Sequence, residues 1–192
     1  MSLAEDFDRA GRRFESAEAF LRWAEVQPER WELVDGFARM MTGGTANHSR
    51  IARNALTHLT TVLASGPCEP FGSDFAVALA DGHVSYPDVS VSCDQADSRT
   101  SDDPVVVIEV LSPSTAGYDA GRKAAAYRRL PSLRHLLLIR QDRIAVAHYH
   151  RDAGARDFTL TEVDRVDAAI PLPAVGAALP VAALYARVRF GP

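Results

Sequence analysis

The chain has 192 residues, of which 47% are hydrophobic and 24% are charged, and its formal net charge is −4. This composition is typical of a globular protein with one core, and no apolar run approaches the roughly 20 residues of a membrane span. The acidic balance excludes a global attraction to nucleic acid, so any DNA contact must come from a local basic face or a metal. We expect a single domain over residues 1–192, with a core over about 16–165 and a C-terminal extension over 166–192.

The first residues and the two cysteines bear on the cellular compartment that we expect for the protein. The N-terminal segment is acidic and lacks a basic stretch followed by an apolar one, so it does not resemble a secretory signal. Cys68 and Cys93 are isolated and lack metal-ligand spacing, so we expect them to stay unpaired and to have no role. Both features favour a cytoplasmic protein that does not contact a membrane.

The first half of the chain predicts two helices and two hairpins. A helix is expected over residues 16–26 behind a serine cap, and a hairpin over 31–41 turns at an Asp-Gly pair. A second helix runs from about 47 to 65, and residues 71–80 and 83–93 alternate like two antiparallel strands joined at a second Asp-Gly pair. The apolar residues on one face of the second helix are Ile51, Ala55, Leu59 and Val62.

The second half predicts, in chain order, a solvated loop, a buried strand, a helix, two hairpin strands, an edge strand, a proline-rich irregular segment and a closing helix. Their ranges are 94–103, 104–111, 119–129, 134–139, 143–150, 157–163, 171–180 and 181–188. Hairpins imply antiparallel pairs, whereas a helix that follows a buried strand implies a parallel crossover. We therefore expect an α/β sandwich with a mixed central β-sheet flanked by helices.

Two of the strand-like runs each contain one carboxylate. Asp88 follows Pro87 in one run, and Glu109 interrupts an otherwise apolar run that is rich in β-branched residues and typical of a buried central strand. An ionised carboxylate removed from water is costly unless a cation, a donor network or a proton compensates it. A divalent metal shared by Asp88 and Glu109 would compensate it.

These carboxylates belong to a longer set of motifs. The set is Glu32-Leu33-Val34-Asp35-Gly36, Asn47-His48, Tyr86-Pro87-Asp88-Val89-Ser90-Val91, Val107-Ile108-Glu109-Val110-Leu111-Ser112-Pro113-Ser114, and Asp119 with Lys123 and Tyr127. Together these motifs resemble the PD-(D/E)XK nuclease superfamily, and more specifically its branch of restriction endonucleases called the Uma-two family. The resemblance implies a restriction-endonuclease-like fold, a Mg²⁺ or Mn²⁺ ion bound by Asp88 and Glu109, and hydrolysis of DNA phosphodiester bonds.

One position departs from the superfamily pattern. That pattern has a lysine two residues after the second acidic residue, where this chain has Leu111. The resemblance makes Lys123, on the following helix, the candidate for a migrated lysine, and Glu32 a further metal or water ligand. The chemistry requires a metal that activates water and a cation near the developing charge. The expected catalytic residues are therefore Asp88, Glu109, Lys123 and Glu32.

Each assignment has a structural alternative. Glu109 is instead held by an arginine such as Arg53, or Asp88 is a turn residue after proline. Lys123 instead forms a solvated bridge to Asp119, four residues earlier on the same helix face. Four other residues in the motifs are interpreted as helix-start, turn or core residues: His48, Ser112, Ser114 and Tyr127.

The partners are the last open question. The basic residues near the carboxylates either form a DNA-binding face or are scattered over a solvated surface: Arg122, Lys123, Arg128, Arg129 and Arg134, with Arg50 and Arg53. Leu111 and the net charge also fit a different class, a non-catalytic nucleic-acid or protein interaction module that keeps the nuclease fold. The apolar C-terminal segment, and the need for two active sites to cut a duplex, favour a homodimer.

Overall fold

The computed structural model describes residues 11–41, 43–79, 82–94, 97–98, 100–112 and 118–191. Its helices are α1 (Ala17–Ala24), α2 (Ala46–Leu63), α3 (Tyr118–Arg128) and α4 (Val181–Leu184), with a 3₁₀ turn at Pro173–Val175. Its strands are β1 (Trp31–Val34), β2 (Phe37–Met40), β3 (Glu69–Gly72), β4 (Ala76–Ala78), β5 (Val84–Ser85), β6 (Val89–Ser92), β7 (Thr100–Ser101), β8 (Val106–Leu111), β9 (His135–Arg140), β10 (Val146–His150), β11 (Thr159–Val163), β12 (Ala169–Leu172) and β13 (Ala177–Pro180). Over these ranges, no helix combines the length and the apolar character needed to cross a membrane.

The strands form two sheets and a separate hairpin. The smaller sheet has the order β2-β1-β5-β4-β7, the larger has the order β11-β10-β9-β8-β6-β3, and β12 pairs with β13. In the larger sheet β8 and β9 are parallel and connected through α3, whereas the other neighbours are antiparallel. This mixed sheet with flanking helices confirms the predicted α/β sandwich.

The larger sheet is covered on both faces. On one face α2, α4 and the β12–β13 hairpin pack over residues such as Val106 and Ile108. On the other face α3 and strand β4 pack over Val107 and Leu136. Successive residues of a strand point to opposite faces of the sheet. Because both faces are covered, the residues of β8 are apolar on both sides, except for Glu109.

Several local predictions are confirmed. The hydroxyl of Ser16 accepts a hydrogen bond from the first turn of α1. Strands β1 and β2 turn at Asp35 and Gly36, whose φ values of 54° and 79° suit a two-residue hairpin turn. The predicted hairpin and edge strand after α3 are found as β9, β10 and β11.

Helix α2 has its predicted apolar face except at one position. Ile51 and Leu59 are fully buried, but Val62 is 47% exposed and Leu63 takes its place in the core. The C-terminal segment is tied to this helix by side-chain hydrogen bonds. The amide of Asn54 donates to the carbonyls of Leu184 and Ala186, and Asn47 exchanges hydrogen bonds with the backbone of Arg189.

The predicted antiparallel pairing of the two runs after α2 is confirmed, but each run is broken and divides between the sheets. Strands β3 and β6 pair in the larger sheet, whereas β4 and β5 pair in the smaller one. One break falls at Pro87, which lacks the N–H that a ladder needs. Asp81, at the predicted joint, lies outside the described residues. The loop prediction also needs correction, because Thr100–Ser101 form β7 beside β4 and bury Ser101.

The proline-rich segment 171–180 is not irregular, contrary to the prediction. Strands β12 and β13 pair antiparallel, with Pro171 opposite Ala178. Each strand of a two-stranded sheet has one unpaired edge, where a residue without an N–H is tolerated. Several apolar residues that favoured a homodimer are fully buried within the chain: Leu172, Leu179, Val181 and Leu184.

The two cysteines form a disulfide, so the expectation that they stay unpaired is wrong. Cys68 directly precedes β3, Cys93 directly follows β6, and the register of these strands sets Glu69 opposite Ser92. The cysteines are the next opposed pair, with Cα atoms 3.9 Å apart. Their pairing follows from the antiparallel pairing of β3 with β6, which the sequence predicts, and from a register that it does not give.

Candidate active site

Asp88 and Glu109 lie opposite each other at one end of the larger sheet. Strands β6 and β8 are antiparallel, with Val89 opposite Ile108, so the next position of this register sets Asp88 across from Glu109. Opposed residues of an antiparallel pair point to the same face. The amide of Val110 donates to Asp88 Oδ2 at 2.7 Å, which ties Asp88 to β8. The structure therefore brings the two predicted metal ligands together.

Glu109 is a mostly buried carboxylate with two polar neighbours. The hydroxyl of Tyr127 donates to Glu109 Oε1 at 2.8 Å, and Lys123 Nζ lies 3.5 Å from the same oxygen. Burial raises the pKa of Glu109 to about 7; Lys123 opposes this rise, and the charges of Asp88 and Glu32 add to it. A cation bound beside this carboxylate would favour its ionised form.

Lys123 reaches the carboxylates from α3. Its Nζ donates to Glu32 Oε1 at 2.6 Å, in addition to its contact with Glu109. Glu32 lies on β1 of the smaller sheet, and it also accepts a hydrogen bond from the Ser85 hydroxyl at 3.1 Å. Burial alone would lower the pKa of Lys123, but Glu109 and Glu32 outweigh burial and raise it. The amine is therefore a fixed positive charge at neutral pH.

His48 is a further member of the site. It lies in the first turn of α2, and its Nε2 is 3.3 Å from Asp88 Oδ2. Hydrogen bonding to Asp88 raises the pKa of His48 against the opposing effect of burial. The sequence signal was the Asn47-His48 motif, in which a helix-start role for His48 was favoured over a functional one. His48 does lie in the first turn of the helix, but its ring also contacts the site.

The four residues expected to be catalytic thus gather at the junction of the two sheets and α3. Tyr127 is fully buried in the core, as expected, yet its hydroxyl also contacts Glu109 and the Ser85 hydroxyl. Arg53, the alternative partner of Glu109, is exposed on α2. The side chain of Asp119, the alternative partner of Lys123, lies outside the described residues, as does Ser114.

The charges of the site suit a hard divalent cation. Three carboxylates, those of Glu32, Asp88 and Glu109, face the amine of Lys123 and the ring of His48. In the part of the chain that the structure describes, no three histidine, cysteine, aspartate or glutamate side chains form a ready-made metal cage. Mg²⁺ does not need such a cage, because it keeps several waters and uses one or two carboxylates. Asp88 and Glu109 fit that requirement.

The basic residues near the site have different partners. Arg122 pairs with Asp35 of the first hairpin, and Arg134 donates to backbone carbonyls of its own loop. Arg50 and Arg189 instead line a groove beside the start of α2. Lys123 of α3 contacts the carboxylates directly, whereas Arg50 and Arg189 lie in the groove beside the start of α2.

The chain has relatives among known proteins. Residues 17–182 match the model of the Uma2 family, which is described as "Putative restriction endonuclease". The chain is 33% identical over 179 residues to "Uncharacterized protein slr1290" of Synechocystis sp., covering 91% of this chain and 93% of that protein. It is 32% identical over 154 residues to "Uncharacterized protein sll1609" of the same organism, covering 77% of this chain and 86% of that protein.

The fold also matches a solved structure. The crystal structure of "a putative nuclease belonging to DUF820" from Anabaena variabilis superposes with a TM-score of 0.73 at 18% identity, covering 91% of this chain and 99% of that chain. At this identity the likeness supports the fold alone. The family match, in contrast, extends from α1 into α4 and includes every residue of the candidate site. The chain therefore belongs to the Uma2 family.

Proposed function

We propose that the protein is a metal-dependent endonuclease that hydrolyses DNA phosphodiester bonds. The observation that carries this proposal is the approach of Lys123 Nζ to within 3.5 Å of Glu109 Oε1, beside Asp88. Leu111 occupies the position that the superfamily pattern gives to lysine, and Lys123 supplies an amine to the same carboxylates from α3. Membership in a family described as "Putative restriction endonuclease" supports the same reaction.

Each side chain has a distinct task in this proposal. Asp88 and Glu109 would hold the ion, which would supply a lowered pKa for a water and polarisation of the phosphate. Lys123 stabilises the negative charge that develops on the phosphate during attack by water. Glu32 orients Lys123 through their hydrogen bond, and Tyr127 orients Glu109.

DNA would reach the site along the groove beside α2. Its polar lining supplies guanidinium, amide and hydroxyl groups, from Arg50, Arg189, Asn47, Gln141 and Thr45, beside one carboxylate, that of Asp142, which pairs with Arg140 and Arg143. Such groups bind phosphate oxygens, and a protein with a net charge of −4 needs them concentrated in one place. Gln141 also donates to the Leu111 carbonyl at the end of β8, so the groove borders the strand that carries Glu109.

Cleavage of both strands of a duplex requires two active sites. A homodimer with two-fold symmetry provides them most simply. We therefore expect light scattering at micromolar concentration to give twice the monomer mass of 20.8 kDa. A mass near 20.8 kDa would reject the dimer.

Plasmid cleavage in Mg²⁺ or Mn²⁺ tests the proposal. Asp88→Ala and Glu109→Ala should each slow cleavage by orders of magnitude, because each removes a metal ligand. Asp167→Ala is the matched control, since it removes an exposed carboxylate that pairs with Arg165, and it should cleave like the wild type. Equal nicking by the wild type and both site variants would reveal a contaminant and reject the proposal.

A non-catalytic interaction module is the second candidate, and Leu111 in place of the usual lysine is the observation that favours it. Such a module would show no turnover with any metal but would still bind a nucleic-acid or protein partner. Calorimetry separates the two candidates. Cleavage by the wild type, and loss of both Mn²⁺ binding and cleavage in Glu109→Ala, would decide for the enzyme.

A further inference from the structure

His48 shares one oxygen of Asp88 with the backbone of β8. Its Nε2 lies 3.3 Å from Asp88 Oδ2, and the Val110 amide donates to the same oxygen at 2.7 Å. The side chains of His48 and Asp88 are 21% and 14% exposed, so water competes little for this contact. No group of the described residues donates to the other oxygen, Oδ1. Asp88 thus has one oxygen held by the protein and one available to a ligand.

The backbone before α2 leaves room for the His48 ring. A Cβ on Gly44 would lie 2.8 Å from His48 Cγ and 2.9 Å from Nδ1, closer than side-chain atoms normally approach. A Cβ on Gly43 would meet nothing within 4 Å. The hydroxyl of Thr45 accepts from the His48 amide at 3.2 Å, which fixes the residue to which the ring is attached. The absence of a side chain at Gly44 is therefore what allows the ring to reach Asp88.

A carboxylate that can rotate presents either oxygen, or both, to an ion. Two contacts on Oδ2 restrict this rotation and hold the carboxylate plane, as partners behind metal ligands commonly do. We propose that His48 is a positioning residue that holds Asp88 Oδ2, so that Oδ1 faces the metal. The role rests on the proposed function, because it takes Asp88 as a metal ligand, and it extends that function to a residue of α2.

Calorimetric titration of the folded protein with Mn²⁺ tests this role. His48→Ala should weaken Mn²⁺ binding about 10- to 100-fold, the usual effect of removing such a partner. His48→Gln should recover most of the affinity, because its amide nitrogen can donate to Oδ2. Wild-type affinity in His48→Ala, or a glutamine variant no better than alanine, would overturn the positioning role. Absence of Mn²⁺ binding by the wild type would instead overturn the proposed function and the positioning role with it.

Variants of the two glycines test the same contact without removing the histidine. Gly44→Ala should weaken Mn²⁺ binding in the same direction as His48→Ala, because its Cβ displaces the ring. Gly43→Ala is the matched control and should bind Mn²⁺ like the wild type. In the His48→Ala background Gly44→Ala should add little, since the ring that it displaces is gone. Additive losses in the double variant would overturn the role.

Pulsed electron paramagnetic resonance of bound Mn²⁺ distinguishes positioning from direct ligation. Because His48 contacts the carboxylate and not the ion, the wild type should show no ligand-type ¹⁴N coupling. A ¹⁴N coupling that disappears in His48→Gln would make His48 a metal ligand and overturn the positioning role. Circular dichroism of each variant establishes that a lost affinity does not come from unfolding.

Discussion

Lys123 donates a hydrogen bond to Glu32 at 2.6 Å, although 91 residues of chain separate them. Glu32 belongs to the smaller sheet, and Glu109, which lies 3.5 Å from the same amine, belongs to the larger. The lysine therefore joins the two sheets at the site. Helix α3 delivers the amine to the carboxylates, and Glu32 determines where it points.

Lys123→Ala should keep metal binding and lose cleavage. In the proposed mechanism the carboxylates would hold the ion and the amine would act mainly in the transition state, so we expect cleavage to fall by about 100-fold or more with little change in Mn²⁺ affinity. Lys123→Arg should rescue poorly, because a planar guanidinium does not reproduce a compact ammonium. Arg129→Ala, at the exposed end of α3, is the control for lost positive charge. Unchanged cleavage in Lys123→Ala would remove the lysine from the mechanism.

Glu32→Gln tests whether Glu32 orients Lys123 or binds the metal. If Glu32 acts through Lys123, cleavage should fall roughly tenfold while Mn²⁺ affinity stays near the wild-type value. In a Lys123→Ala background the same change should cost nothing further, because the two residues act as a unit. Calorimetry and plasmid cleavage measure both quantities. A clear loss of Mn²⁺ affinity in Glu32→Gln would make Glu32 a metal ligand instead.

Parts of the fold that depend on local chemistry were predictable from the sequence. The hairpin at Asp35 and Gly36 follows from their tolerance of positive φ, and the crossover from β8 to β9 follows from an apolar run succeeded by a helix. The division of β3, β4, β5 and β6 between two sheets was not predictable in this way. Alternating residues indicate a strand but not its neighbours, and tertiary packing selects those neighbours.

The same distinction between local chemistry and tertiary packing applies to the residues of the site. Asp88, Glu109 and Lys123 stand in motifs whose residue types already indicate chemistry. A histidine in a first helical turn has the same sequence pattern whether water or a carboxylate lies beside it, so His48 could not be assigned to the site. The packing of α2 over β6 and β8 is what places the ring of His48 beside Asp88.

Tyr127→Phe should destabilise the protein by about 1–3 kcal/mol, the usual cost of leaving a buried acceptor without its donor. The affected acceptor is Glu109, to which the Tyr127 hydroxyl donates at 2.8 Å. Urea unfolding measures the change. Tyr149→Phe is the matched control, because Tyr149 is only partly buried and has its ring beneath Arg128. Equal losses in the two variants would show that the hydroxyl of Tyr127 has no special role.

The contact between His135 and His148 should make stability depend on pH. Nδ1 of His135 lies 3.0 Å from Nε2 of His148, and both residues are almost fully buried. Burial lowers the pKa of each to about 4, and neighbouring charges, including that of His150, act in the same direction. Unfolded histidine has a pKa of about 6.5, so below that pH the unfolded chain binds more protons. The contribution of these two histidines to stability is therefore full above about pH 6.5 and falls as the pH decreases toward about 4, whereas Glu109, whose pKa is raised to about 7, contributes in the opposite direction.

Urea unfolding at pH 7.5 and at pH 5 measures this effect. We expect the wild type to lose on the order of 1–3 kcal/mol between these values from the two histidines. His148→Gln should lose less, because one of the two titrating groups is gone. His58→Gln, which changes a histidine outside this pair, should keep the wild-type pH dependence. Identical pH dependence in the wild type and His148→Gln would contradict the assignment.

The hydrogen bonds between α2 and the C-terminal segment also bear on the order in which the chain folds. Asn47 is synthesised 142 residues before Arg189, the residue with which it exchanges hydrogen bonds. Contacts of such long sequence separation form late in folding. A growing chain on the ribosome therefore carries the strands that α2 packs against, β6 and β8, long before the residue that holds Asn47. The start of α2 should gain its last fixed contact only when residue 189 has emerged.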